Sequence, residues 1–515
     1  MRSIGDEEER LTFYPRRAQV IVFLVRVSID RKGVGKLKKM KIVVIGAGSA
    51  SFGSGVLADL LTSPELKEFA LTVSLVDIDE KALDRMYRLA LRMKEYCRSN
   101  VVFEASADRI KALPGADYVI VSVAQRRWDL WQKDFYIPLA FGFRHVFGEN
   151  GGPGGAFHTL RSLNLVLPIC RDMERFCPEA LLLNFTNPES RVCQGVSMLT
   201  KIHSVGLCHG PQRTLTRISQ LLEMRAEDIE ITVGGINHFH WALAVRDRRN
   251  GRDLRAELDK KVPAFDWGVD NLTPVLHRLF GHITYPEPSH PGEYMGFAWE
   301  IAGPKYIDWG LGDVSRNPSA KAEDPDYQIE GLGNAVSYEL WSLELPKHLE
   351  AFLEQNIPIT PEFVRALDYP LPGPAGGKKQ ESGADPAALP LSGELTVPII
   401  CDIEFNRDRV EIGANVLNNG SIPNLPADGV VEVPIRVNAG GVKSAPVGPL
   451  PEAIAGMCAI QISIQKLLVQ AYAEKSKRYL LQALLIDPIV DSVDRAEKYM
   501  ETMLKAEADF LPELR

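Results

Sequence analysis

Four apolar residues, Ile42 to Ile45, follow Lys41 and run into Gly-Ala-Gly-Ser, the pattern of a fully buried strand entering a tight turn. FGSGVLADLLT (52–62) then carries apolar groups at helical spacing, LTVSLVDID (71–79) reads as a second strand, and Glu80 to Tyr96 as a long helix. ADYVIVSV (116–123), ALLLNFTN (180–187) and HSVGLC (203–208) repeat the buried-strand pattern. Strands alternating with helices in this way predict a parallel, doubly wound α/β sheet. Beyond Gln212 the pattern changes. IEITVGGINHFHWALAV (229–245) reads as antiparallel, strands are expected around PIICDIE and VVEVPIRV, and the chain from Pro451 onward is helical. The Pro-, Gly- and Ala-rich stretch at 370–390 predicts a mobile insertion. These changes divide the chain into an extension (1–39), an N-terminal α/β domain (40–211) and a C-terminal α+β domain (212–515).

Composition narrows the class. The 515 residues are 45% hydrophobic and 24% charged, with a formal net charge of −8, which argues against nucleic-acid and anionic-membrane partners. Seven scattered cysteines without a CxxC pair suit reduced thiols in the cytoplasm. The early apolar run AQVIVFLVRVSI is too short to span a bilayer and is interrupted by Arg26. It also lacks a cleavage site of small residues.

GAGSAS (Gly46 to Ser51) lies between the first strand and helix, where a dinucleotide loop belongs. Gly46 permits the turn, and Gly48 lets backbone N–H groups, Ser49 included, approach a pyrophosphate. Ser51 stands where the third glycine is usual. Asp77 closes the second strand, where a carboxylate binds the ribose of NAD and disfavours NADP; Asp79 is the alternative. The N-terminal half is therefore expected to be Rossmann-like.

NFTNPES places Asn187 at a strand end, able to bind a sugar hydroxyl or nicotinamide, with a plain Asn-Pro turn as the alternative. GLCHGPQRT sets Cys208 beside His209 at another strand end, as core filler, a nucleophile with its base, or half of a metal site. In GGINHFHW an extended chain would turn His238 and His240 to one face. Cys208 and a histidine are good ligands for a first-row divalent ion with open positions. GGPGG (151–155) is either a turn or a close approach to ligand, and Arg126 and Arg127 follow the VIVSV strand.

The ordered set GAGS with Asp77, GGPGG, NFTNP, CHG, GINHFHW and SHPGEY resembles glycoside hydrolase family 4, the NAD- and divalent-metal-dependent glycosidases. The likeness continues through NVLNNGSIPNLP and LLIDP, so it covers nearly the whole chain from Met40. It implies an N-terminal half like lactate and malate dehydrogenases, and NAD and Mn2+ as cofactors. It also implies hydrolysis by hydride transfer from C3, C2 deprotonation, elimination of the glycosidic oxygen, water addition and re-reduction. No pair of catalytic carboxylates is then needed. By the same resemblance Cys208 and His238 hold the metal and Asn187 contacts sugar. Tyr294 is the base, with Glu293 as its rival, and His209 is the leaving-group acid. Apart from the resemblance, Arg126, just after the VIVSV strand, is read as a substrate contact, with a solvated surface arginine as the alternative. Cys-His-Gly resembles the subgroup acting on α-glucuronides and related uronides, with Gly210 making space. α-Glucosides and α-galactosides are the alternative substrates, a lactate/malate-type dehydrogenase is the alternative enzyme, and a homodimer or homotetramer is the expected assembly.

Overall fold

A computed structural model describes residues 37–268, 270–303, 345–367 and 389–515. Residues 1–36 of the expected extension and 370–388 of the expected insertion lie outside the described residues.

The alternation of neighbouring residues between two faces explains the N-terminal half. In β1 (Lys38–Ile45), Ile42 and Val44 enter one core while Val43 and Ile45 enter the other. In β4 (Tyr118–Val121), Tyr118 and Ile120 face the first core, and Val119 and Val121 the second. Each fully buried aliphatic side chain contributes about 1.5–3 kcal/mol, so such strands are committed to the sheet centre. With β2 (Phe69–Val76), β3 (Val102–Ser106), β5 (Leu181–Asn184) and β6 (Ser204–Gly206), they form the order β3-β2-β1-β4-β5-β6. The registers of β2/β3, β1/β4, β4/β5 and β5/β6 are parallel, the doubly wound arrangement expected. β3 was not foreseen. It is an edge strand with one buried residue in five, so its apolar signal is weak.

Helices α1 (Ala50–Thr62), α2 (Glu80–Tyr96), α3 (Arg109–Ala112), α4 (Arg127–Ala140), α5 (Gly152–Phe176), α6 (Glu189–Leu199) and α7 (Gly210–Leu222) follow the parallel strands or their loops. The sheet does not stop at β6. Gly206 pairs antiparallel with Asn415 of β9 (Arg409–Leu417), and the sheet continues through β10 (Val430–Asn438), β7 (Ile229–Ile236) and β8 (Phe239–Asp247), with β11 (Gly441–Ser444) on β10. The division expected after residue 211 thus falls inside one continuous sheet, and residues 39–515 form one compact unit.

The antiparallel reading of 229–245 corresponds to the β7–β8 hairpin. PIICDIE is instead helical, within Thr396–Glu404. Six of its nine residues are buried, and a helix buried on most sides has the same unbroken apolar run as a core strand. The helix Glu452–Ala473 is long and apolar enough to cross a membrane, but half of its apolar window is buried and it packs on α5 and α6.

Candidate active site

The glycine loop is built by close approaches that no side chain could survive. Gly46 has φ +86, and a Cβ there would lie 1.9 Å from the Ser122 carbonyl oxygen. A Cβ on Gly48 would strike the Asp77 carboxylate and Ala82, because Gly48 N–H donates to Asp77 Oδ2 at 2.8 Å. Asp77 is therefore held at the loop, and Ser49 N–H donates to the Gly46 carbonyl at 3.3 Å. Asp79 has a separate task, accepting from Lys81 and Ala82 N–H groups as the cap of α2. Close packing between α1 and α2 falls to Gly53, whose absent Cβ leaves room for Met86 Cε. The Ser51 side chain lies outside the described residues.

A second constellation gathers beyond the ends of β4 and β5. Glu149, His238 and His290 bring ligand atoms within 4.8 Å of one another, and the His238 and His290 ring centroids are 4.2 Å apart. Arg127 donates to Glu149 Oε1 at 2.7 Å, and Asn187 Nδ2 donates to the same oxygen at 3.4 Å. Asn150 Nδ2 lies 3.0 Å from both Glu149 Oε2 and His238 Nδ1. Burial pushes the Glu149 carboxyl up, but Arg127 foremost and the surrounding histidines bring it down to about 2. Burial pushes His290 down to about 3, and burial and His290 together hold His238 well below the usual histidine range. At neutral pH this is an ionised carboxylate beside two neutral imidazoles.

Glycines and a buried carboxylate hold the loop that carries Glu149. The backbone N–H groups of Glu149 and Asn150 donate to Glu293, whose pKa burial pushes well up. GGPGG forms the start of α5, where a Cβ on Gly151 would strike the Glu293 backbone and one on Gly154 the Asp134 carbonyl. These two glycines therefore serve close packing within the chain. His238 is not extended as expected. It has φ +61 in the β7–β8 turn, and it and His240 meet the same Tyr285 ring, stacked at 5.6 Å and edge-on at 5.9 Å. His240 is fully buried, with Nδ1 2.5 Å from Glu432 Oε2 and Nε2 2.8 Å from Thr214 Oγ1.

Cys208 lies outside the Glu149 cluster. Its Sγ accepts from Gly210 N–H at 3.4 Å, and burial, then Glu189 and Glu432, push the thiol well up. Tyr285 connects the two groups: its ring stacks on His238 at 5.6 Å and meets the place a Gly210 Cβ would take at 3.2 Å. The same Cβ would stand 2.8 Å from His240 Cε1. The space Gly210 leaves is thus filled by His240 and Tyr285, correcting the reading of Gly210 as room for a substrate. His209 is 52% exposed, with Nε2 2.8 Å from Glu394 Oε1. Tyr294 is buried, its hydroxyl donates to the Asn237 carbonyl at 3.1 Å, and burial and Glu293 push its pKa well up. Arg126, 63% exposed and left-handed at φ +41, pairs with Asp129. Its neighbour Arg127 is the one that reaches the cluster. Arg213 lies beside Tyr285 and Cys208 and pairs with Glu287 at 3.1 Å; burial pushes Glu287 up against the pull of Arg213.

The profile described as "Family 4 glycosyl hydrolase" matches residues 41–224, and that of its C-terminal domain matches 317–490. The chain belongs to glycosyl hydrolase family 4. It is 28% identical over 480 residues to an α-glucosidase of Erwinia rhapontici, covering 92% of this chain and 99% of that one. An α-galactosidase of Rhizobium meliloti is 29% identical over 486 residues, covering 93% and 90%. A solved 6-phospho-α-glucosidase from gut microorganisms, in complex with NAD and Mn2+, superposes with TM-score 0.68 at 20% identity, covering 93% of this chain and all of that one. The glycosidase assignment from sequence is thereby confirmed, as is the Rossmann-like fold.

The residues fit both groups that the family reading calls for. The glycine loop is a cradle that any Cβ would fill, with Asp77 at its rim. One carboxylate and two neutral imidazoles are a donor set for a first-row divalent ion, and buried Asn150 Oδ1 beside them has no hydrogen-bond partner among the described residues. Glu149, His290 and Tyr285 were missed in the sequence. The FGEN before GGPGG and the SHPGEY histidine were visible, but their convergence on His238 depends on the tertiary fold.

Proposed function

We propose that this family 4 enzyme hydrolyses α-glycosides by reversible oxidation of the sugar, using NAD and a divalent ion. The observation that carries the proposal is the Glu149–His238–His290 cluster, at the strand ends of the sheet that also bears the glycine loop and Asp77. Bound NAD supplies hydride transfer at the sugar, and a bound ion such as Mn2+ supplies polarisation of adjacent sugar oxygens. Gly46, Gly48, Ser49 and Asp77 hold the dinucleotide. Cys208 and His238 are ligands for the ion, with Glu149 and His290 as further donors around the shared His238. Asn187 orients a sugar hydroxyl, and Arg126 contacts substrate at the rim.

Tyr294 takes the proton from C2. Its hydroxyl now rests on the carbonyl of the residue preceding His238, which keeps the phenol on the segment that carries the ligand. The rival Glu293 is engaged by two backbone N–H groups. His209, exposed and beside Glu394, delivers a proton to the leaving oxygen. The sugar is an α-glucuronide or related uronide. Supporting this are the Cys-His-Gly sequence and Arg213, a cation whose carboxylate partner burial makes less acidic, so that a sugar carboxylate can compete for it. α-Glucosides and α-galactosides are the second reading, favoured by the activities of the relatives. The seven free cysteines suit a cytoplasmic enzyme.

The test is a panel of p-nitrophenyl α-glucuronide, α-glucoside and α-galactoside with NAD, Mn2+ and thiol present. Turnover that requires both cofactors, and is lost in Cys208→Ser while NAD still binds, is the expected result. Metal-dependent turnover retained in Cys208→Ser would remove Cys208 from the site.

A further inference from the structure

Residues 507–510, just after the helix Val493–Ala506, pack against the wall of the same site, and nothing in the sequence pattern marked them. Arg161, Asp134, Arg127, Glu149 and His158 line one cavity. Arg161 is buried and donates both to Asp134, at 3.0 Å to Oδ1, and to Glu507, which is itself fully buried. Lys133 Nζ donates to the Ala506 carbonyl at 2.8 Å, and Asn164 Nδ2 to the Phe510 carbonyl at 3.3 Å. The segment is thus tied to α4 and α5, the two helices that form this wall. At its end the Phe510 ring lies under the Arg126 guanidinium, 5.9 Å from Cζ to centroid. Arg126 is flanked by the cavity-lining Gln125 and Arg127 and is held in the left-handed region at φ +41, ψ +48. A non-glycine residue in that conformation needs support from its surroundings.

We propose that Phe510 is a positioning residue for substrate binding. It fixes Arg126 at the rim of the pocket, and the buried Asp134–Arg161–Glu507 group holds its segment in place. The inference rests on the reading of Arg126 as a substrate contact. The guanidinium is shared between Asp129, which accepts from Nε at 2.9 Å, and the Phe510 face, which together select one orientation of an otherwise exposed side chain. A fixed cation loses less freedom when a substrate oxygen arrives, so the effect belongs in KM and not in kcat.

The experiment measures kcat and KM of Phe510→Ala, Phe510→Tyr, Arg126→Ala and the Arg126→Ala/Phe510→Ala double variant. Its probe is whichever p-nitrophenyl α-glycoside the wild-type enzyme cleaves fastest. An exposed cation–π contact corresponds to about a two- to fivefold change. Phe510→Ala is expected to raise KM by about that factor with kcat nearly unchanged, and Phe510→Tyr to restore it. The double variant is expected to match Arg126→Ala alone, because Phe510 has nothing left to act through. Additive effects, an unchanged KM in Phe510→Ala, or a loss confined to thermal stability would each overturn the proposal. If Arg126→Ala leaves KM unchanged, the substrate-contact reading fails and takes this inference with it. An effect of Arg126→Ala without one of Phe510→Ala sinks the inference alone.

Discussion

Gly210→Ala separates packing from specificity. The helix start at Gly210 imposes no left-handed φ, so the substitution acts only through its new methyl group. That group would meet His240 Cε1 at 2.8 Å and the Tyr285 ring at 3.2 Å, both closer than ordinary van der Waals contact. Neither neighbour yields easily: His240 is fully buried between Glu432 and Thr214, and Tyr285 is stacked on His238 and in tilted contact with His290. Overpacking of this kind costs about 1–3 kcal/mol. With an unfolding entropy of about 2 cal/mol/K per residue, several hundred ordered residues give about 1 kcal/mol/K, so Tm should fall by about 1–3 °C. The assay pairs a thermal scan with kcat/KM on the three-glycoside panel. The expected outcome is a lower Tm with the ranking of sugars unchanged. An unchanged Tm with a reversed sugar preference would refute the packing argument and restore Gly210 as a substrate-facing residue.

Other substitutions address the remaining parts of the site. Asp77→Ala removes a charged hydrogen-bond acceptor from the glycine loop and should weaken NAD binding about 10- to 100-fold by calorimetry, with a smaller penalty for NADP than in the wild type. Arg213→Gln should lower kcat/KM about 10- to 100-fold on a uronide and far less on a neutral glycoside; an equal loss on both would place Arg213 away from the sugar carboxylate. Burial pushes His145 down to about 4, against an ordinary value near 6.5. Between these values the unfolded chain binds a proton that the folded one does not, so this contribution is complete above about pH 6.5 and is lost as pH falls. The loss should reach about 2 kcal/mol at pH 5, measured as the pH dependence of denaturation and flattened in His145→Gln.

Elements whose signal is local could be read from the sequence. The buried strands, the glycine loop with Asp77, and the β7–β8 hairpin follow from unbroken apolar runs, a required positive φ and two adjoining strand patterns. β3 escaped because an edge strand buries little, and PIICDIE misled because a nearly surrounded helix has no polar face. At the site, His238 was legible within its motif, but its turn conformation was not; it and His240 both reach Tyr285 from a turn and not from one face of an extended strand. Glu149 and His290 lie 89 and 52 residues from His238 in the chain. Their meeting depends on Glu293 seizing the backbone of the Glu149 loop, which no sequence period reports. Arg126 and Arg127 are indistinguishable in sequence; the left-handed turn at Arg126 sends one outward and the other to Glu149.

The central claim is that the glycosidic bond breaks through loss and recovery of the C2 proton. Hydrolysis of the preferred p-nitrophenyl α-glycoside in D2O, with NAD and Mn2+, tests it by mass spectrometry and NMR of the released sugar. One non-exchangeable deuterium at C2 is predicted, because the proton regained there comes from solvent. A released sugar with hydrogen retained at C2 after complete turnover would contradict the account.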